Sequence, residues 1–311
     1  MRVVFLGTPG FAVPSLQALA AGGHEVVAVF TQPDRPKGRG NQLAESPVKL
    51  AASSLGVPVY QPERIRRPES VEQLRQLAAD IMVVVGYGQI IPQVIIDLPR
   101  HGILNVHASL LPKYRGAAPI QWAIANGDKE TGVTIMQIDA GLDTGDMLLK
   151  AVAPIEPEET APQLSGRLAP LGAEALLRTM EQIGAGTTHR EKQNEAEATL
   201  APILKKEDGR VDWFMPAPQI YNRLRGFTPW PGAYTSFRGQ PLLLTFAKPA
   251  GERGILPGVL HIENRRLLVG AGKNTALELH EVQPAGKKRM PVEAFLNGHK
   301  LSANEVLGEQ S

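Results

Sequence analysis

The sequence predicts an α/β domain built on a mostly parallel, Rossmann-like sheet over residues 1–188, a linker at 189–206, and a small β-barrel of OB-like form over 207–311. Three observations predict this. The first half alternates short, continuously apolar runs with helix-like segments, as parallel strands covered on both faces require. The second half carries short strand-like runs separated at close spacing by turn residues, which suits a small barrel. At 311 residues the chain suits two domains, one domain usually taking roughly 100–200 residues.

Arg2 to Gly7 is a β-branched and aromatic run closed by glycine, and Phe11 to Ala21 follows with helical periodicity, Pro14 being tolerable in its first turn. Further strand-like runs occupy Glu25 to Thr31, Ile81 to Tyr87 and Gly102 to Val106. Helix-like segments lie near Pro47 to Ser54, Glu69 to Ala78 and Pro92 to Ile96. Thr131 to Ile138 and Asp146 to Val152 are joined by Asp139-Ala-Gly-Leu-Asp-Thr-Gly145, whose Asp and Gly residues form turns, so a hairpin is expected at one sheet edge. Thr160 to Ile183 reads as a helix open to interruption at Pro170 and stopped by Gly184-Ala-Gly186. Residues 187–206 are polar and without period. Beyond them a helix is expected around Ala217 to Arg225, then strands at Ala233 to Phe237, Pro241 to Ala247, Gly258 to Ile262, Arg266 to Gly270 and Ala276 to Val282.

Composition narrows the function classes. Hydrophobic residues at 43% and charged residues at 21% are ordinary for globular proteins, which argues against disorder or fibre. The absence of cysteine rules out disulfides and thiolate catalysis, and it fits a reducing compartment. Val3-Val-Phe-Leu-Gly7 is too short for the apolar core of a signal peptide, and no run approaches the ~18 apolar residues of a membrane span. A cytoplasmic protein away from membranes is therefore expected, and a monomer, since nothing demands an oligomer. Charge is uneven: residues 205–311 hold 15 Lys and Arg against 10 Asp and Glu, whereas residues 1–204 hold 18 against 21. Such a bias suits a polyanionic partner, although a solvated surface carries the same excess.

Gly7-Thr-Pro-Gly10 invites a dinucleotide reading but lacks the G-x-G-x-x-G spacing that lets backbone approach a pyrophosphate. More informative is Asn105-Val-His107-Ala-Ser109-Leu-Leu-Pro112 at the end of the fourth strand. Strand alternation puts Asn105 and His107 on one side, where open α/β sheets hold ligands. A lone histidine is more often a satisfied structural residue, but a polar pair at the carboxyl end of an apolar strand, leading into a loop, is where catalytic groups are displayed. Asp139, Asp143 and Asp146 offer carboxylates in the hairpin turn, and spacing alone does not say which one partners His107. Paired His or Cys at metal-ligand spacing, a G-x-S-x-G elbow and a P-loop are all missing, so the sequence supports no metal site.

Asn105-Val-His107 with Ser109-Leu-Leu-Pro112, then Tyr114-Arg-Gly-Ala-Ala-Pro-Ile120, Thr131-Gly-Val-Thr-Ile135 and Gly141-Leu-Asp143-Thr-Gly-Asp146, resemble the signature of the folate-dependent formyltransferases. The resemblance continues through Ser46-Pro-Val-Lys49, Lys206 to Trp213, Arg225 to Gly232 and Arg289 to Gly298, so it covers nearly the whole chain. A local departure is Leu200-Ala-Pro-Ile-Leu204, where that family has an aromatic residue before the alanine and a lysine before the last leucine. The resemblance implies the formyltransferase fold for the first domain, Asn105, His107 and Asp143 as the catalytic set, and 10-formyltetrahydrofolate as the one-carbon donor. It sets the reduced folate against Ser109, Leu110, Leu111 and Pro112. Val84 to Ile91, with Gly86, Tyr87 and Gly88, is a further candidate wall, although the same residues also read as an ordinary strand end with a glycine turn.

Phe30 to Gly40 is similar to the loop that members acting on methionyl initiator tRNA insert at the acceptor stem, which makes Arg35, Lys37 and Arg39 candidate tRNA contacts and the basic second domain a tRNA-binding one. Members acting on a glycinamide ribonucleotide or a nucleotide sugar lack a use for this basic loop. A non-catalytic RNA-binding module would not need Asn105, His107 and Asp143 together.

Overall fold

A computed structural model describes residues 1–37, 42–302 and 305–308. Its elements begin with β1 (Arg2–Gly7), α1 (Val13–Ala21), β2 (Glu25–Phe30), β3 (Arg35–Lys37), β4 (Gln42–Ala44), α2 (Pro47–Ser54), β5 (Val59–Tyr60), α3 (Pro68–Gln76) and β6 (Ile81–Val85). There follow α4 (Gln93–Ile96), β7 (Ile103–His107), α5 (Pro119–Ala125), β8 (Glu130–Gln137), β9 (Met147–Pro154) and α6 (Ala161–Ala185). The last are α7 (Ala217–Gly226), β10 (Ala233–Phe237), β11 (Gln240–Glu252), β12 (Leu260–Glu263), β13 (Arg266–Gly270), β14 (Thr275–Pro284), β15 (Met290–Pro291) and α8 (Val292–Gly298).

The chain folds as two compact units. The first comprises Met1–Pro119, Glu130–Pro154 and Leu164–Pro202; the second comprises Ile120–Lys129, Ile155–Gln163 and Ile203–Ser311. Set beside the linear division at 188 and 206, two short excursions fall with the second unit, and the stretch 189–202 falls with the first.

The first unit is a seven-stranded sheet in the order β5-β2-β1-β6-β7-β8-β9. Its first five strands run parallel, while β8 and β9 are antiparallel to their neighbours and form the edge hairpin the sequence predicts. Central position explains the apolar runs: β1 is buried from its second residue on and β6 throughout, so both faces need apolar side chains. Phe30, Val4, Leu6, Met82, Val84 and Tyr87 form much of the core on one side. Helix α6 passes through Pro170 unbroken, against the expected interruption. Pro170 and the Gly166 carbonyl it deprives of a donor both lie on the exposed side, where solvent serves as partner.

The second unit has a six-stranded antiparallel sheet in the order β10-β11-β14-β13-β12, with β15 on β14. Strand β10 alternates buried and half-buried residues, the pattern of a sheet with one face on a core. Register shifts along the β11–β14 pairing coil the long β11. Among the described residues β10 and β12 do not pair, so the expected barrel is realised as a curled, open sheet. The excursions join this unit through specific contacts. Trp122 packs edge-on against Phe227 with ring centroids 5.3 Å apart, and the buried Arg225 donates to the Glu159 carbonyl at 2.9 Å. Among the described residues, no helix is long and apolar enough to cross a membrane.

Phe5 is fully buried in β1, whereas Ile90 at the sheet's carboxyl edge is 91% exposed. Phe5→Ala is therefore expected to lower the unfolding free energy by about 3–5 kcal/mol, and Ile90→Ala to change it by less than about 0.5 kcal/mol, in urea titrations.

Candidate active site

The parallel strands β1, β6 and β7 end at one edge of the sheet, so the turn after Gly7, the loop from Gly86 to Ile91 and the loop after His107 emerge together. Alternation along β7 puts Asn105 and His107 on the same face, His107 buried and Asn105 partly so. Strand β8 runs back along β7 with Gln137 opposite Leu104. The turn 139–145 that follows β8 folds back over the face of β7 and brings Asp143 to the pair. Asn105 Nδ2 donates to Asp143 Oδ1 at 3.2 Å, and His107 Nδ1 stands 3.7 Å from Asp143 Oδ2. The second separation is that of an ion pair rather than of a direct hydrogen bond.

This resolves the choice among three carboxylates. Asp139 is a turn former, its Oδ1 accepting from Gly141 N at 3.0 Å and from the Thr144 hydroxyl at 2.7 Å. Asp146 pairs through its main chain, its carbonyl accepting from Gln137 N. Asp143 alone of the three touches both Asn105 and His107, from a backbone with φ of 52° that aspartate tolerates better than most residues.

The loop after β7 supplies the rest of the wall. Thr134 of β8 donates its hydroxyl to Ser109 O at 2.7 Å and accepts from Leu111 N at 3.1 Å. The Ser109 hydroxyl donates to Lys113 O at 2.6 Å. Tyr114, at φ 63°, turns its carbonyl to His107 Nε2 at 2.9 Å. A carbonyl only accepts, so Nε2 carries a hydrogen and Nδ1 is the nitrogen facing Asp143. Gly116 N donates to Asp143 Oδ2 at 2.8 Å. Its φ of 121° favours glycine, and a Cβ there would lie 2.7 Å from Ala201 O.

The stretch expected to be a linker is part of this wall. Glu191 pairs with Met147, and Arg115 N donates to Thr199 O at 2.8 Å while Ala201 N donates to Arg115 O at 2.7 Å. The Thr199 hydroxyl oxygen accepts from Tyr114 N at 2.9 Å. Arg115 is buried, and its guanidinium donates two bonds to Glu195 at 2.8 and 2.7 Å. Through them the Arg115 charge holds the Glu195 carboxyl below its ordinary value, and Glu195 in turn raises that of Arg115. Sequence reading missed these residues because a polar segment without period carries no sign of what it touches.

Of the candidate folate residues, Ser109, Leu111 and Pro112 are buried and Leu110 is half-buried. Leu111 packs with Met136 and Met147. Gly86 and Gly88 are exposed, but the Tyr87 ring is turned into the core, where burial raises its hydroxyl above the ordinary range. Tyr87 O accepts from the Thr8 hydroxyl at 3.2 Å and from Gln32 Nε2 at 3.1 Å. This wall therefore offers a ligand main chain and the exposed Ile90, rather than a tyrosine ring.

Of the candidate tRNA residues, Arg35 is exposed and lies with Lys37 on β3, which pairs with β4 as a two-stranded ribbon. Arg39 lies outside the described residues. An ion pair roots the ribbon: Lys49 Nζ meets Asp34 Oδ2 at 2.5 Å, and Gln61 Nε2 donates to Asp34 Oδ1 at 2.7 Å. The Lys49 contact holds the Asp34 carboxyl below its ordinary range. Among the described residues, no group of three or more His, Cys, Asp or Glu is arranged to hold a metal ion.

A family described as formyl transferase matches residues 1–180, and one described as formyl transferase, C-terminal domain, matches residues 203–300. The methionyl-tRNA formyltransferase of Solibacter usitatus (strain Ellin6076) is 60% identical over 310 residues, 99% of this chain and 99% of that protein. That of Koribacter versatilis (strain Ellin345) is 58% identical over 312 residues, covering 100% of both. Among solved structures, the N-formyltransferase from Helicobacter canadensis in complex with folinic acid and dTDP-3-aminofucose matches with a TM-score of 0.68 at 18% identity, over 91% of this chain and 99% of that one. HypX from Aquifex aeolicus in complex with tetrahydrofolic acid matches with a TM-score of 0.61 at 18% identity, over 98% of this chain and 48% of that one. At such identities the two structures speak to the fold alone.

The depressed Glu195 carboxyl means that its pairing with Arg115 is intact at neutral pH and is lost only as the pH falls below the ordinary carboxylate range. Hydrogen–deuterium exchange of the 113–118 amides, corrected for intrinsic rates, should rise on acidification. In Glu195→Gln it should already be raised at pH 7. Gly116→Ala is expected to cost about 1–3 kcal/mol in thermal or urea unfolding, because Ala201 O has to move.

Proposed function

The chain belongs to the formyl transferase family, within it to the methionyl-tRNA formyltransferases, and on that premise we propose how its residues divide the work of moving a formyl group onto methionyl-tRNA. The single observation that carries the proposal is the meeting of Asn105, His107 and Asp143 over β7. The reaction is acyl transfer to an amine. The α-amino group of the methionyl ester attacks the formyl carbon, and negative charge develops on the formyl oxygen. Collapse of the adduct breaks the bond from that carbon to the folate nitrogen, which takes up a proton as the attacking amine loses one.

Asn105 spends one amide hydrogen on Asp143 and keeps a second for that oxygen. One such donor lowers the barrier by on the order of 3 kcal/mol. His107 is oriented by the Tyr114 carbonyl at Nε2, so Nδ1 is its working nitrogen. When the ring is protonated at Nδ1 as well as at Nε2, Nδ1 can donate to the developing oxyanion, and the Asp143 carboxylate beside it orients the ring and takes part in removing the proton that leaves the attacking amine. No covalent intermediate on the protein is needed.

The donor in this reading is 10-formyltetrahydrofolate. The residues fit a reduced folate in one respect that the fold supplies directly: exposed Gly86 and Gly88 present main chain for the polar edge of a pterin, while Ile90 and Leu110 offer apolar surface beside it. Ser109, Leu111 and Pro112 shape the opposite wall from beneath. When bound, the folate supplies an activated one-carbon group.

Arg35 and Lys37 on the basic ribbon, with Arg39 two residues further along the sequence, meet the acceptor end of methionyl initiator tRNA, and the basic residues of 207–311 follow its phosphates. The proposal thus assigns catalysis to 1–188 together with the stretch 189–202 that walls its site, and tRNA holding to 207–311. It has the protein act as a monomer in the cytoplasm.

The test is transfer of radiolabelled formyl from 10-formyltetrahydrofolate to methionyl initiator tRNA. His107→Ala is expected to lower kcat by about 10²–10³-fold. Arg35→Ala should leave kcat within about twofold, raise KM for the tRNA, and reduce the salt slope of tRNA binding by about one. A wild-type protein that turns over the folate without formylating methionyl-tRNA would overturn the substrate assignment.

A further inference from the structure

Gln193 lies in the polar stretch 187–206, and its side-chain amide is bonded on both atoms. Its Nε2 donates to Asp143 O at 2.7 Å and to Gly145 O at 2.8 Å, so both amide hydrogens are committed to the main chain of the turn that carries Asp143. Its Oε1 accepts from Arg115 Nε at 2.9 Å. Arginine only donates and carbonyls only accept, so these partners fix which end of the amide is which. Arg115 is itself anchored: its guanidinium fork rests on Glu195, and its main chain pairs with Thr199 and Ala201.

The turn needs such an anchor. Asp143 sits at φ 52°, a conformation that is sparsely populated outside glycine, and its carboxylate has three neighbours to satisfy: Asn105 Nδ2, Gly116 N and His107 Nδ1. A rotation of the 143–145 main chain moves the carboxylate away from all three together. The two carbonyls gripped by Gln193 flank the residues whose rotation would do this.

We propose that Gln193 is a positioning residue for formyl transfer: it holds the turn 143–145 so that Asp143 keeps its place beside His107 and Asn105, and Arg115 holds Gln193. The inference rests on the assignment of Asp143 to catalysis made above. Misplacing a reacting group by about 1 Å costs on the order of 100-fold in rate, so the effect should be large although Gln193 touches no substrate.

The test is steady-state formylation of methionyl initiator tRNA by the full chain, comparing wild type, Gln193→Ala, Gln193→Glu, Asp143→Asn and the double variant Asp143→Asn/Gln193→Ala. Gln193→Ala should lower kcat about 10- to 100-fold and leave both KM values within about threefold. Gln193→Glu keeps a partner for Arg115 but turns an oxygen towards two carbonyls, so it should be folded and comparably slow. The double variant should be no slower than Asp143→Asn, because a residue acting through Asp143 has nothing left to position. The proposal falls if either Gln193 variant, shown folded by circular dichroism, keeps kcat within about twofold of wild type. It falls equally if the double loss is the product of the two single losses. If both Gln193 variants fail to fold, Gln193 is a folding residue and the proposal is wrong. If Asp143→Asn is fully active, the catalytic assignment itself fails instead.

Discussion

Parallel pairing of β1, β6 and β7 is the constraint on which the rest of the first unit depends. Parallel strands bring their carboxyl ends to one edge, so three loops far apart in sequence open onto the same place. The chain then reverses. Because β8 runs antiparallel to β7, the turn after it leaves from the far end of β7 and must fold back over the strand to reach Asn105 and His107. A carboxylate brought in by such a route is not held by the sheet ladder and needs another support.

That support comes from the stretch 189–202. A buried cation is costly unless it is paired and hydrogen-bonded, and each guanidinium nitrogen of Arg115 donates to Glu195 or Gln193 while its main chain joins Thr199 and Ala201. One buried guanidinium thereby couples the loop that orients His107 to the turn that carries Asp143. The two walls of the site are held by the same residue, so disturbance of either is felt at both. Tyr114 and Gly116, on either side of Arg115 in sequence, make the contacts to His107 Nε2 and to Asp143 Oδ2.

Much of this was legible beforehand. The buried strands β1 and β6 read as continuous apolar runs because both their faces are covered, and the run Ala233 to Phe237 read as the strand that is β10. Asn105 and His107 could be placed on one side from strand period alone. The β3–β4 ribbon, α5 and α8 were not foreseen: they are short, and short elements are stabilised by what they pack against rather than by their own pattern. Pro170, open to interrupting the helix, does not do so, since a helix tolerates a missing bond where the freed carbonyl faces water. Tyr87 was expected at a ligand wall, yet its ring is core and its carbonyl accepts from Thr8 and Gln32.

By itself the sequence determined the two classes of domain, the strand that ends in Asn105 and His107, and the basic character of the loop and of the C-terminal part, because periodicity and charge are local properties that survive in a linear string. Tertiary structure alone decided that Asp143 rather than Asp139 or Asp146 meets the pair, that Tyr114 orients the histidine through a carbonyl, and that Gln193 belongs to the site. Each of these is a contact between segments brought together by folding, made by atoms or side chains whose partners no local pattern records.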